Sequence, residues 1–167
     1  MTEALEYHRD SVIAGELWRL VTGQLVHWST AMLVADLGVL LLAGLLLARR
    51  SPRLLLVCLP LSVGAVAAAV HFLSPELIRY RGSSGIATAL VIACALDLAG
   101  TPGAPRRAAI AALVVGAAKL AYELATGTSL SSGTLPPGVR VAPVAHVAGV
   151  ASGAVAWLVA RSQGRDV

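Results

Sequence analysis

The stretch Arg81-Gly82-Ser83-Ser84-Gly85-Ile86-Ala87 sets a hydroxyl between glycines, where a polar loop passes into an apolar run from Ser84 to about Leu98. A serine in the first turn of a helix sees unpaired backbone N–H groups and the positive end of the macrodipole, and both favour a developing anion. The leading glycine permits a sharp turn, and the trailing one lets other groups approach closely. These are the needs of a nucleophile. They are also those of a plain capped helix start, which Gly-x-Ser-Gly alone more often is. Two internal controls show the difference: Ser131-Ser132-Gly133 lacks the leading glycine, and Ser152-Gly153 sits inside a helix.

What raises Ser84 above them is an imidazole. His146 follows Pro143 by about one turn at the start of the last apolar segment, and at about 1.5 Å per residue it falls at a depth similar to that of Ser84. Gly149 and Gly153, with Ala145 nearby, give this helix a small-residue face, while Gly85, Ala87 and Thr88 keep the Ser84 helix slim. A close crossing would bring His146 within reach of Ser84, the dyad in which His takes the serine proton and later returns it to a leaving amine. A lone His near a helix end is more often an interfacial residue.

The elements that must hold these groups are set by composition. Hydrophobic residues make up 57% of the 167-residue chain and charged ones 13%, with a mean hydropathy of +0.78; soluble domains carry about 25% charged residues. The expectation is an all-α polytopic membrane bundle of about five transmembrane helices. They run approximately over 31–48, 54–73, 84–98, 108–125 and 142–160. The net charge of +4 does not indicate nucleic acid, because the arginines are divided among short loops. Arg49, Arg50, Arg53, Arg106, Arg107, Arg161 and Arg165 gather on one side almost free of acids; Arg9, Arg19, Arg79, Arg81 and Arg140 lie opposite, diluted by Glu3, Glu6, Asp10, Glu16 and Glu76. The positive-inside rule predicts the first set in the cytoplasm, and the N-terminal segment, the Ser84 loop and the 126–141 loop outside.

Residues 1–30 read as an extracytoplasmic, interfacial segment ahead of a bundle over 31–167. No cleavable signal peptide is visible, and Met1 to Glu16 is expected at the surface. Ile13, Leu17, Leu20 and Val21 recur at helical spacing beside Trp18 and Trp28, which predicts a partly helical hairpin over 14–27 on the membrane; an ordinary amphipathic leader fits equally. Cys58 and Cys94 lie in apolar segments without ligand spacing and read as core residues, with no disulfide, metal or cofactor implied.

Ionisable groups within spans are costly, so each is a functional candidate. Lys119 and Glu123, at i and i+4, read as a structural ion pair in preference to a proton relay. Asp36 has no partner nearby in sequence and is either protonated or orients a polar group of the site. Asp97 is expected in solvent at a helix end. His27 and His71 are reserve candidates for substrate or oxyanion contacts.

On these residues the chain resembles the rhomboid intramembrane serine proteases, and within them the bacterial rhombosortase branch. Glu16-Leu17-Trp18-Arg19-Leu20-Val21-Thr22-Gly23 with His27-Trp28-Ser29 is similar to the outer loop leading into the family's second helix. Tyr80-Arg81-Gly82-Ser83-Ser84-Gly85 is similar to its nucleophile motif, and Ala145-His146-Val147-Ala148-Gly149, continued by Gly153, to its general-base helix. The resemblance implies a Ser84–His146 dyad facing the extracytoplasmic side of a bacterial inner membrane, supported by Gly82 and Ser83, with Gly85, Gly149 and Gly153 packing the helices. It implies membrane-anchored protein substrates that unwind at the bundle's edge, and for this branch C-terminal Gly-Gly sorting tails. Two departures stand out. Met32 and Asp36 occupy the family's His-x-x-x-Asn oxyanion pattern, and the sequence begins where the family's first outer loop would, so either the first helix is dispensable here or the chain is an N-terminally shortened form.

Two other classes compete. A rhomboid-like pseudoprotease that binds transmembrane helices is favoured by Met32 and Asp36. A small transporter is suggested by Asp36, Lys119 and Glu123, but the internal repeats that class predicts are not evident.

Overall fold

The computed structural model describes residues 2–128 and 142–162. Arg140, Arg165, Ser131-Ser132-Gly133 and most of the 126–141 loop lie outside the described residues. Four helices are long and apolar enough to cross a membrane: α3 (Thr30–Arg50), α4 (Pro52–Phe72), α6 (Ala104–Thr126) and α7 (Pro143–Ser162). A fifth apolar helix, α5 (Ser84–Ala99), is shorter. Short elements precede them: a 3-10 turn (Thr2–Ala4), β1 (Tyr7–His8), α1 (Arg9–Ile13) and α2 (Arg19–Thr22), while β2 (Arg79–Tyr80) comes between α4 and α5. The spans expected from hydropathy are all helical, each extended by a turn or less at most ends.

Helix α5 is the hub, packing on α3, α4, α6 and α7. Its Ala89, Leu90, Ala93 and Cys94 form the core with Ala43 and Leu47 of α3, Leu54 and Cys58 of α4, and Ala156 of α7. Both cysteines are free and buried there, as their apolar context predicts. Outward-facing Leu42 and Leu45 on α3 and Ile110 and Val114 on α6 are exposed, the expected lining where the surrounding solvent is lipid.

The length of α5 sets the depth of its N-terminus. Sixteen residues span only about 24 Å at 1.5 Å each, against a hydrocarbon core of about 30 Å. The chain leading to Ser84 must therefore carry its polar backbone below the bundle's rim, where each unpaired group costs several kcal/mol. The N-terminal segment supplies the partners. Strand β1 pairs antiparallel with β2, Tyr7 opposite Tyr80 and His8 opposite Arg79. Glu6 bridges Arg79 and Arg81 at 2.7 Å each, and both guanidiniums stack on Trp28, 5.3 and 4.3 Å from its ring. Arg9 donates to the carbonyls of His71 and Ser74 at 2.8 and 2.9 Å, capping the end of α4.

This corrects the expectation that Met1 to Glu16 lies at the surface: Glu6, Tyr7 and Val12 are buried. A two-residue strand carries no alternation to detect, and its burial comes from a partner some seventy positions later. Within 14–27 a short helix forms, and Leu17, Trp18, Val21 and Leu25 are exposed.

Candidate active site

Ser84 is the first residue of α5, and His146 the fourth of α7. The imidazole Nε2 lies 2.9 Å from the serine Oγ. The two helices approach this closely because glycines face each other. A Cβ on Gly85 would come within 2.8 Å of the Ala145 carbonyl oxygen, one on Gly149 would strike the Gly85 carbonyl, and one on Gly153 the Ala89 carbonyl. The small-residue face read from the sequence is therefore the surface that brings hydroxyl and imidazole together.

The far side of the imidazole is also engaged. His146 Nδ1 is 2.6 Å from Glu123 Oε2, and the other carboxylate oxygen accepts from Lys119 Nζ at 2.6 Å. Glu123 is fully buried. The Lys119–Glu123 ion pair was legible as an i, i+4 match, but its link to His146 was not. A local partner already accounted for the carboxylate, and nothing in the chain sets the rotation of α6 against α7.

Next to Ser84, Asp36 Oδ2 is 3.0 Å from His27 Nε2 and accepts the Ser83 backbone N–H at 3.1 Å. The Ser83 hydroxyl lies 3.2 Å from His27 Nε2. Asp36 thus has the partner that local sequence withheld: a histidine from the preceding loop. Gly82 turns through φ +133°, a conformation that disfavours any side chain, and its N–H reaches the Gly23 carbonyl at 3.2 Å. The Tyr80 hydroxyl donates to the Gly82 carbonyl at 2.9 Å. Burial first, and the charge of Asp36 second, push the Tyr80 pKa above the ordinary phenol range, so it remains a donor. Ser83 makes no side-chain cap to α5.

Other reserve candidates fall elsewhere. His71 bonds the Tyr7 hydroxyl at 3.1 Å and shares no hydrogen bond with Ser84 or His146. Asp97 is not simply solvated: it accepts from Ser51 at 2.9 Å and pairs with Arg50 at 3.3 Å, joining the ends of α3 and α5.

A cavity of about 710 Å³ opens beside the pair, with Ser84, His146, Asp36, Lys119 and Glu123 among its lining and an otherwise mostly apolar wall from α3, α5 and α6. Helices α3 and α6 both lean on α5 and touch each other marginally if at all, so the cavity fills the gap between them. Among the described residues no group of His, Cys, Asp and Glu has the arrangement of a metal site.

Hydroxyl, imidazole and carboxylate thus lie in line in the wall of an apolar cavity, within a membrane protein built as a bundle of membrane-length helices. The Rhomboid domain matches residues 14–163, and the chain belongs to that family, whose members are typically intramembrane serine proteases. A search of curated proteins returned no match.

Proposed function

We propose that this protein is an intramembrane serine endopeptidase of the rhombosortase-like branch, cleaving membrane-anchored proteins near the extracytoplasmic face of a bacterial inner membrane, C-terminal Gly-Gly tails among them. The observation that carries the proposal is the 2.9 Å approach of His146 Nε2 to Ser84 Oγ in the cavity wall. In this reading His146 removes the Ser84 proton as Oγ attacks the scissile carbonyl carbon, then gives that proton to the departing amine. Water, entering by the same route, releases the acyl group with His146 again acting as base. The substrate reaches Ser84 through the α3–α6 gap, whose volume is of the size that holds several side chains.

The oxyanion falls to the N-terminal amides of α5. They point along the helix dipole, and the Ser83 side chain leaves them uncapped. The Met32 side chain has no hydrogen-bond donor, and Asp36 is occupied as an acceptor, so the family's side-chain donors have no counterpart at those positions. His27, Ser83 and Gly82 shape the turn that presents Ser84. Residues 1–30 act as the extracytoplasmic brace, and the arginine-rich end faces the cytoplasm.

The test is cleavage of a co-expressed membrane-anchored substrate by wild type, Ser84→Ala and His146→Ala at matched protein levels. Both variants are expected to be inactive, and continued cleavage by Ser84→Ala would overturn the assignment. The acceptor role of Asp36 favours a second reading, a helix-binding pseudoprotease. Fluorophosphonate labelling that is abolished by Ser84→Ala and strongly slowed by His146→Ala decides against it.

A further inference from the structure

We propose that Glu123, held by Lys119, is a positioning residue that completes a Ser84–His146–Glu123 chain, so that the site works as a triad with its carboxylate supplied by α6. The inference rests on the protease reading and adds to it a residue on a third helix.

An ionised carboxylate only accepts hydrogen bonds. Glu123 Oε2, 2.6 Å from His146 Nδ1, therefore fixes the ring proton on Nδ1 and leaves the Nε2 lone pair facing the Ser84 hydroxyl. The opposite tautomer would set a lone pair against a carboxylate and point an N–H at a group that must lose its own proton. The ring is also held at both ends, which fixes its angle.

Lys119 makes the arrangement tolerable. A lone carboxylate buried among apolar helices is costly, and Lys119 Nζ, 2.6 Å from Oε1, neutralises it. It does so on the oxygen that His146 does not use. At rest the charges of Lys119 and Glu123 cancel beside a neutral imidazole and hydroxyl. In the attack the proton moves from Ser84 Oγ to His146 Nε2, the new O–C bond forms, and the carbonyl π pair moves to its oxygen. Imidazolium and oxyanion then appear together, the first against Glu123 and the second at the α5 amides. No proton passes to Glu123, and the sum of charges is unchanged. A purely structural Lys119–Glu123 pair would have no need to aim its second oxygen at Nδ1.

The placement also gives the site a mechanical dependence. Helix α6 borders the gap between α3 and α6 and packs only lightly on α7. A substrate that displaces α6 would release Glu123 from His146, so only one that leaves α6 seated meets a complete chain.

The experiment uses the full-length protein in detergent or vesicles, a membrane-anchored substrate, and the variants Ser84→Ala, Glu123→Gln, Glu123→Asp and Glu123→Gln/His146→Ala. Amide replacement of the orienting carboxylate in soluble serine proteases lowers kcat by about 10⁴-fold. Glu123→Gln is expected to lower kcat by at least about 10²-fold with KM changed less than about three-fold. Residual fluorophosphonate labelling in the His146→Ala background is expected to fall no further when Glu123→Gln is added, because Glu123 acts through the missing ring. If Glu123→Gln does not accumulate, Glu123→Asp keeps the buried charge but withdraws it from Nδ1, and at least about a ten-fold loss of kcat at constant KM is expected. Wild-type kcat in whichever variant folds, or a further loss of labelling in the double variant, overturns the triad. Cleavage surviving Ser84→Ala would instead overturn the protease reading itself, so the two failures are distinct.

Discussion

Gly149 on α7 lies against the Gly85 carbonyl on α5 so closely that a methyl group there would strike it. The contact lies one residue from Ser84 and one turn from His146, so the spacing of the helices and of the two side chains are one quantity. Gly149→Ala is expected to push the helices apart or strain them, at about 1–3 kcal/mol. The hydroxyl–imidazole bond should lengthen in proportion. Thermal unfolding in detergent and the fluorophosphonate labelling rate report the two effects, and both should fall together. Gly116, which has open space around its Cα, should tolerate the same change in stability.

Glu6 is the buried carboxylate of the brace, bonded to Arg79 and to the largely buried Arg81. Removing one partner of such a cluster leaves the other charge unpaired, typically at about 3–5 kcal/mol. Glu6→Ala should therefore lower the melting temperature and loosen the strand that leads into the Ser84 turn. Protease sensitivity between Leu77 and Gly82 is the direct measurement, with cleavage expected in the variant before the bundle melts.

Asp36 accepts from His27 and from the Ser83 N–H. Asp36→Ala removes the nearer acceptor of the Ser83 N–H and leaves it only the 3.4 Å contact with His27 Nε2, a loss worth about 1–3 kcal/mol, whereas Asp36→Asn keeps one acceptor. The expected order of stability and of labelling rate is wild type, then Asn, then Ala. An Asn variant that labels faster than wild type would show the carboxylate to be a burden on the oxyanion and not a support of the turn.

Tyr80 gives a pH dependence with a definite sign. Its folded pKa lies above that of an exposed phenol, so the unfolded chain ionises first as pH rises. The stability it contributes is complete below the unfolded pKa of about 10 and is lost progressively above it. Tyr80→Phe should be less stable near neutrality by about 1 kcal/mol, the worth of the bond to the Gly82 carbonyl. It should also lose less stability than wild type in alkaline titrations of the melting temperature.

The membrane character, the helical spans and the candidacy of Ser84 and His146 were legible in the linear chain, because each rests on short-range pattern; their 2.9 Å approach depends on how α5 and α7 cross. Apolar runs near bilayer length require helices. Glycines before and after Ser84 mark a turn into one, and Gly149 and Gly153 mark the face that carries His146. The depth match followed from helical rise alone. Asp36 was legible as an anomaly but not as half of a pair, since His27 reaches it from a loop whose path no local pattern sets.

What the tertiary structure alone decided is every contact between groups that each already had a local explanation. Glu123 had Lys119 one turn away, so sequence gave no reason to seek a second partner; its meeting with His146 depends on how α6 is rotated against α7. Glu6 and Tyr7 looked like surface residues because the arginines and strand that cover them arrive after α4 has crossed the bundle and the chain has returned. Periodicity fixes which face of a helix is apolar or small, through hydration and packing of near neighbours. It carries no information on the rigid-body placement of one helix against another, and that placement is what turns an ion pair into the end of a chain reaching Ser84.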